Sequence, residues 1–162
     1  MISLRNRAFL LALMLASLAP AGAAELATKK ALTLEVVKAM AASAEEFANK
    51  NNWKVTIAIL DDGGHLLYFQ RMDGVRIGAI EIAMRKAESA AKFGRPGKGF
   101  ADRIAGEPHV MILPGAFPFE GGLPVIHEGQ VLGSIGVSGA TAQQDAMIAK
   151  AGLDALARLV KK

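Results

Sequence analysis

Val55-Thr56-Ile57-Ala58-Ile59-Leu60-Asp61-Asp62-Gly63-Gly64-His65-Leu66-Leu67-Tyr68-Phe69-Gln70-Arg71 is the stretch on which the fold turns. Val55 to Leu60 is an apolar run of strand length. Asp61 to Gly64 carries strong turn chemistry, and His65 to Arg71 reads as the returning strand, so the whole predicts a β-hairpin. Alternation along the returning strand puts His65, Leu67, Phe69 and Arg71 on one face and Leu66, Tyr68 and Gln70 on the other.

Upstream, Thr33 is placed to cap a helix, with Glu35 in its first turn. Leu34, Val37, Ala41, Ala44 and Ala48 recur at helical spacing, flanked by Met40 and Phe47, and Asn51-Asn52 ends the run. Downstream, Asp73-Gly74 closes the hairpin and a second helix is expected from Arg76 to Phe93. Its stripe is Ile77, Ile80, Met84, Ala87 and Ala91, with Glu81 able to meet Arg85 one turn on. Gly94 suits the C′ position and Pro96 blocks continuation. Gly99 to Ala105 is expected as a short helix and Val110 to Leu113 as a short strand. The Pro114 to Gly122 segment is a loop carrying Phe117 and Phe119.

A second hairpin is expected from Leu123–Ile126 and Val131–Val137, with His127-Glu128-Gly129-Gln130 at its tip. In its last strand Val131, Gly133, Ile135 and Val137 share one face. Leu132, Ser134, Gly136 and Ser138 share the other, a face so bare that a helix or a flat ligand can approach it closely. Thr141-Ala142-Gln143-Gln144 fits a capping box opening a final helix, whose inward residues are Ala149, Leu153, Leu156 and Val160. Two hairpins among helices predict an α+β domain, a central antiparallel sheet with helices packed on it.

The 162 residues, 52% of them apolar and 21% charged, fit one domain with a real core. Residues 1–23 read differently. Arg5 and Arg7 precede an apolar run from Ala8 to Ala19, the length of a signal-peptide h-region and short for a bilayer span. Pro20 and the small-residue pattern Ala21-Gly22-Ala23 follow, with cleavage expected before Ala24 or one residue later. The mature domain is then residues 24–162, periplasmic or secreted, with no stable membrane span. Losing Arg5 and Arg7 lowers the net charge from +4 to +2. With no stripe of Lys and Arg interleaved with aromatics, nucleic acid is not an expected partner. The absence of cysteine excludes disulfides, thiolate haem ligation, iron–sulfur clusters and thiol nucleophiles.

Six motifs occur in order: Asp61-Asp62-Gly63-Gly64-His65-Leu66, Arg71-Met72-Asp73-Gly74, Arg85-Lys86-Ala87, Phe93-Gly94-Arg95-Pro96, Phe119-Glu120-Gly121-Gly122-Leu123-Pro124 and Gly133-Ser134-Ile135-Gly136-Val137-Ser138-Gly139. Together the series resembles the GlcG/HbpS family, which includes the C-terminal domain of PduO-type proteins. The resemblance implies a central antiparallel sheet flanked by helices in profilin-like layers, and a homo-oligomer. It also implies haem as a cofactor, since some relatives bind haem and an extracellular one is linked to haem sensing or degradation. One relative's haem ligand is a histidine in the first helix. No histidine lies between Leu26 and Asn52 here, so that ligand does not carry over.

Three histidines remain as iron ligands: His65, His109 and His127. His65, beside a Gly-Gly turn, is the first choice, although a plain turn role suits it as well. His109 precedes a strand, and His127 is expected to be solvated on a hairpin tip. Arg85, Lys86, Lys92 and Arg95 crowd the end of the second long helix, where they suit either the helix dipole or a ligand's carboxylates. Arg71 is able to pair with Asp73. Phe93, Phe117 and Phe119 offer walls for a flat anionic molecule, and Glu120 or His65 is the candidate for moving protons. The residues thus leave three readings open: a haem-binding protein, an enzyme acting on an organic acid or aromatic compound, and an accessory protein with no chemistry of its own.

Overall fold

A computed structural model describes residues 24–160; the expected leader, residues 1–23, lies outside the described residues. Four helices and four strands follow in the order α1 (Leu34–Lys50), β1 (Thr56–Asp61), β2 (Leu66–Arg71), α2 (Gly78–Phe93), α3 (Lys98–Ala101), a 3₁₀ turn (Pro108–Ile112), β3 (Gly122–His127), β4 (Gln130–Ser138) and α4 (Ala142–Leu159). The strands form one antiparallel sheet in the order β2-β1-β4-β3, which gives the α+β class. Each hairpin thus contributes one inner and one edge strand, and the two inner strands pair with each other.

Local chemistry fixes the elements. The Thr33 hydroxyl accepts from Val36 N–H to cap α1, and Thr141 and Gln144 complete a capping box at α4. Gly94 ends α2 in the left-handed conformation, φ 58°. Glu128 and Gly129 both take positive φ, 49° and 78°, the pattern of a tight two-residue hairpin turn.

The helices pack on both faces of the sheet. Ile57, Ile59, Ile135 and Val137 meet α1 and α4 through Val37, Met40, Ala41, Ala44, Ile148 and Ala149. On the opposite face Ala58 and Leu60 meet Ala83 and Ala87 of α2. The bare face of β4 is therefore filled by the protein's own helix and is not open to a ligand. A Cβ on Gly136 would run into the Ala83 carbonyl and lie 2.8 Å from the Ala87 methyl. The stripe expected on α2 is rotated for the same reason. Ala79, Ala83, Ala87 and Ala90 face inward because only small residues let a helix lie this close to glycine in a strand, and Ile77 is left exposed. In α1 the expected Val37, Ala41, Ala44 and Ala48 are buried together with Met40, and Leu34 alone of the expected stripe is exposed. Val110 to Leu113 is not a strand. Val110 to Ile112 lie in the 3₁₀ turn opened by Pro108, which Leu113 ends, and only Val110 is buried.

Before α1, the extended N-terminal segment ties the two hairpin tips together. Lys29 pairs with Asp62 in the first turn, and Lys30 pairs with Glu128 in the second.

Candidate functional site

A cavity of about 410 Å³ opens between the end of β3 and the C-terminal half of α4. Its lining is Pro124, Ile126, His127, Leu153, Leu156, Ala157 and Val160, apolar apart from one imidazole. The helical spacing of Leu153, Leu156 and Ala157 puts three apolar side chains on one side of α4, and Val160 follows directly after the helix ends. A bulge between Val125 and Ile126 shifts the register of β3 just before His127.

The three histidines differ sharply in environment. The side chains of His65 and His109 are 82% and 71% exposed, and that of His127 is 18% exposed. His127, expected to be solvated on its hairpin tip, is instead sheltered, because the end of α4 lies beside it. Its ring is not tied down by its neighbour: Nε2 lies 3.9 Å from the nearer Glu128 oxygen, beyond hydrogen-bond reach. Glu128 is engaged by Lys30, whose ammonium holds the Glu128 carboxyl below its usual range.

His65 takes the turn role. Its backbone N–H donates to Asp61 Oδ1 at 2.8 Å and its ring Nδ1 lies 3.3 Å from Asp61 Oδ2. The N–H is the main reason that the Asp61 carboxyl titrates below the usual aspartate value.

The residues expected to surround one ligand are dispersed by the fold. Arg71 ends β2 while His65 precedes its start, so six residues of extended chain separate them by about 20 Å. Arg71 forms no ion pair with Asp73 among the described residues. Lys86 is internal at 3% exposure, with its ammonium 2.7 Å from Asp145 and 2.9 Å from the Val137 carbonyl. That pairing removes it from the ligand-binding set. Burial raises the Asp145 pKa, and the Lys86 charge and the Ala140 N–H act against that rise. Phe93 packs edge-on against the buried Phe100, and Arg95 lies over the same ring at 5.3 Å, so both belong to the corner between α2 and α3.

Arg85 and Phe117 do come together. The guanidinium lies 5.9 Å from the Phe117 ring centroid, and Phe117 stacks on Phe119 at 4.8 Å. With Glu88, Lys92, Gly115 and Ala116 they enclose a smaller cleft of about 190 Å³. Glu120 lines neither this cleft nor the large groove. Sequence reasoning missed the groove because its two walls are joined only by the fold. The available local signal was the apolar pair Pro124 and Ile126 leading into His127.

Residues 32–154 match the profile of a family described as haem degrading protein, HbpS-like. The chain is 42% identical to protein GlcG of Escherichia coli over 112 residues, covering 68% of this chain and 84% of GlcG. It superposes on a double mutant of Streptomyces reticuli HbpS with a TM-score of 0.76 and 34% identity, covering 88% of this chain and 98% of that one. The fold is also that of PduOC, crystallised as a heme complex, with a TM-score of 0.72 and 24% identity over 78% of this chain and 95% of that one.

Proposed function

The chain belongs to the HbpS-like family, and from that premise we propose that it is an exported haem-binding protein whose β3–α4 groove would hold haem, with the His127 imidazole binding the iron. The observation carrying this reading is that His127 is the one sheltered imidazole of the three, and it lines a predominantly apolar cavity of about 410 Å³. A flat, mostly apolar macrocycle needs an apolar slot, and its iron takes a neutral imidazole. The groove offers both, at a volume within the range of about 300–1,000 Å³ usual for small-molecule sites. The PduOC heme complex shows that a protein of this fold has taken up the group.

When bound, haem supplies an iron centre for redox or oxygen chemistry. The chain's own contribution is binding and shielding. Leu153, Leu156 and Val160 exclude water from one side, and the Glu128-Gly129 turn fixes the end of β3 from which His127 projects.

Export follows from the leader read in residues 1–23, so the N-terminus of the mature protein recovered from the periplasm or medium should be Ala24 or Glu25. Exposed Ile77, Met111 and Ile112 give the mature domain apolar surface suited to self-association. Native mass measurement should therefore return a multiple of the chain mass.

Haemin titration tests the binding claim. A Soret band should saturate at one haem per chain, shift or vanish in His127→Ala and persist in His65→Ala. Absence of the band, or its loss in His65→Ala alone, would overturn the assignment.

A further inference from the structure

The cleft between α2 and the aromatic loop lies on the opposite face of the sheet from α4, so it is separate from the haem groove. We propose that it binds a small planar carboxylate of the benzoate class, held by Arg85. The charge pattern carries the argument. Three charged side chains line the cleft, and two of them neutralise each other, with Lys92 Nζ 2.5 Å from Glu88 Oε1. Arg85 is left over. It makes no ion pair among the described residues, although Glu81 lies one turn back on the same helix. The guanidinium lies over the Phe117 ring instead. A guanidinium held over an aromatic ring and free of ion pairs has N–H donors available, and those donors match a carboxylate as a fork.

The loop side of the cleft is built in place. Phe117 N–H donates to the buried Ser89 hydroxyl at 2.9 Å, and Phe119 backs the Phe117 ring. Gly97 packs so closely against the carbonyls of Phe117 and Phe119 that a side chain there would collide with them. Gly115, at φ 83°, lets the Lys92 chain lie against the loop backbone; a Cβ there would be 3.2 Å from Lys92 Cδ. The volume of about 190 Å³ is below the usual range for drug-sized ligands, which limits the occupant to a single ring or a short acid.

Benzoate, its neutral isostere benzamide and acetate serve as probes, followed by amide chemical shifts of the mature protein. Benzoate should give saturable shifts at Arg85, Glu88 and residues 115–117. Acetate should bind more weakly, and benzamide at least about tenfold more weakly, since it lacks the charge. Arg85→Gln should lose at least about tenfold in benzoate affinity while its far-ultraviolet circular dichroism and haemin titration stay unchanged. Phe117→Leu should weaken benzoate more than acetate. Equal binding of benzamide and benzoate, no saturable shift, or displacement of benzoate by haemin would each overturn the proposal. The unchanged haemin titration of Arg85→Gln keeps this outcome distinct from failure of the haem reading.

Discussion

Removing the Lys86 ammonium leaves the Asp145 carboxylate buried with only the Ala140 N–H to meet it. Breaking one partner of such a pair costs about 3–5 kcal/mol, so Lys86→Met should lower stability by that amount in urea unfolding. Adding Asp145→Asn should recover much of the loss, and no recovery would mean that packing, not charge, dominates. Lys86 was legible only in part. It falls three residues after Ala83 and four before Ala90, on the inward stripe, but its partner is 59 residues away on another helix and no local spacing reveals it. Asp61 supports a prediction about pH. Its folded pKa is depressed, so its stabilisation is present above the unfolded value and is lost as pH falls through the folded value. Because the His65 backbone N–H is the leading cause, carboxyl titration by nuclear magnetic resonance should find Asp61 still depressed in His65→Ala. A return to the ordinary value would assign the shift to the imidazole.

Among the elements, α2 depends on the missing side chains of the sheet. Gly136→Ala forces a methyl into the Ala83 backbone, and overpacking of this kind costs roughly 1–3 kcal/mol. Gly99→Ala, in open space without a positive φ, should be neutral or slightly stabilising, and thermal unfolding separates the two. Thr141→Ala should cost about 1 kcal/mol through loss of the capping box at α4. The hairpins and capped helices were legible because their signals are local: Asp61 to Gly64, Glu128-Gly129, Thr33 and Thr141. The bareness of β4 was legible too, but not its occupant, which is α2. Val110 to Leu113 misled because four apolar residues look alike in a strand and in a turn, and Pro108 decided for the turn.

Across the whole molecule, one sheet separates two sites of different chemistry. The β3–α4 groove is large and apolar with a single imidazole, and the α2 cleft is small and polar with one arginine, Arg85, that forms no ion pair among the described residues. The basic cluster expected to hold one ligand is split among the interior, the α2–α3 corner and the cleft. That division was not legible, because side chains adjacent in sequence on a helix point to different sides of it. The haem assignment rests on shelter created by long-range packing of α4 against the end of β3. Ferric haem is paramagnetic and broadens nearby amide signals, so the resonance map of the haemin-loaded mature protein tests it most directly. Broadening should centre on residues 124–127 and 153–160 and leave 61–65 and 115–119 sharp. Broadening centred on the Asp61–His65 turn or the Phe117 loop would contradict the account.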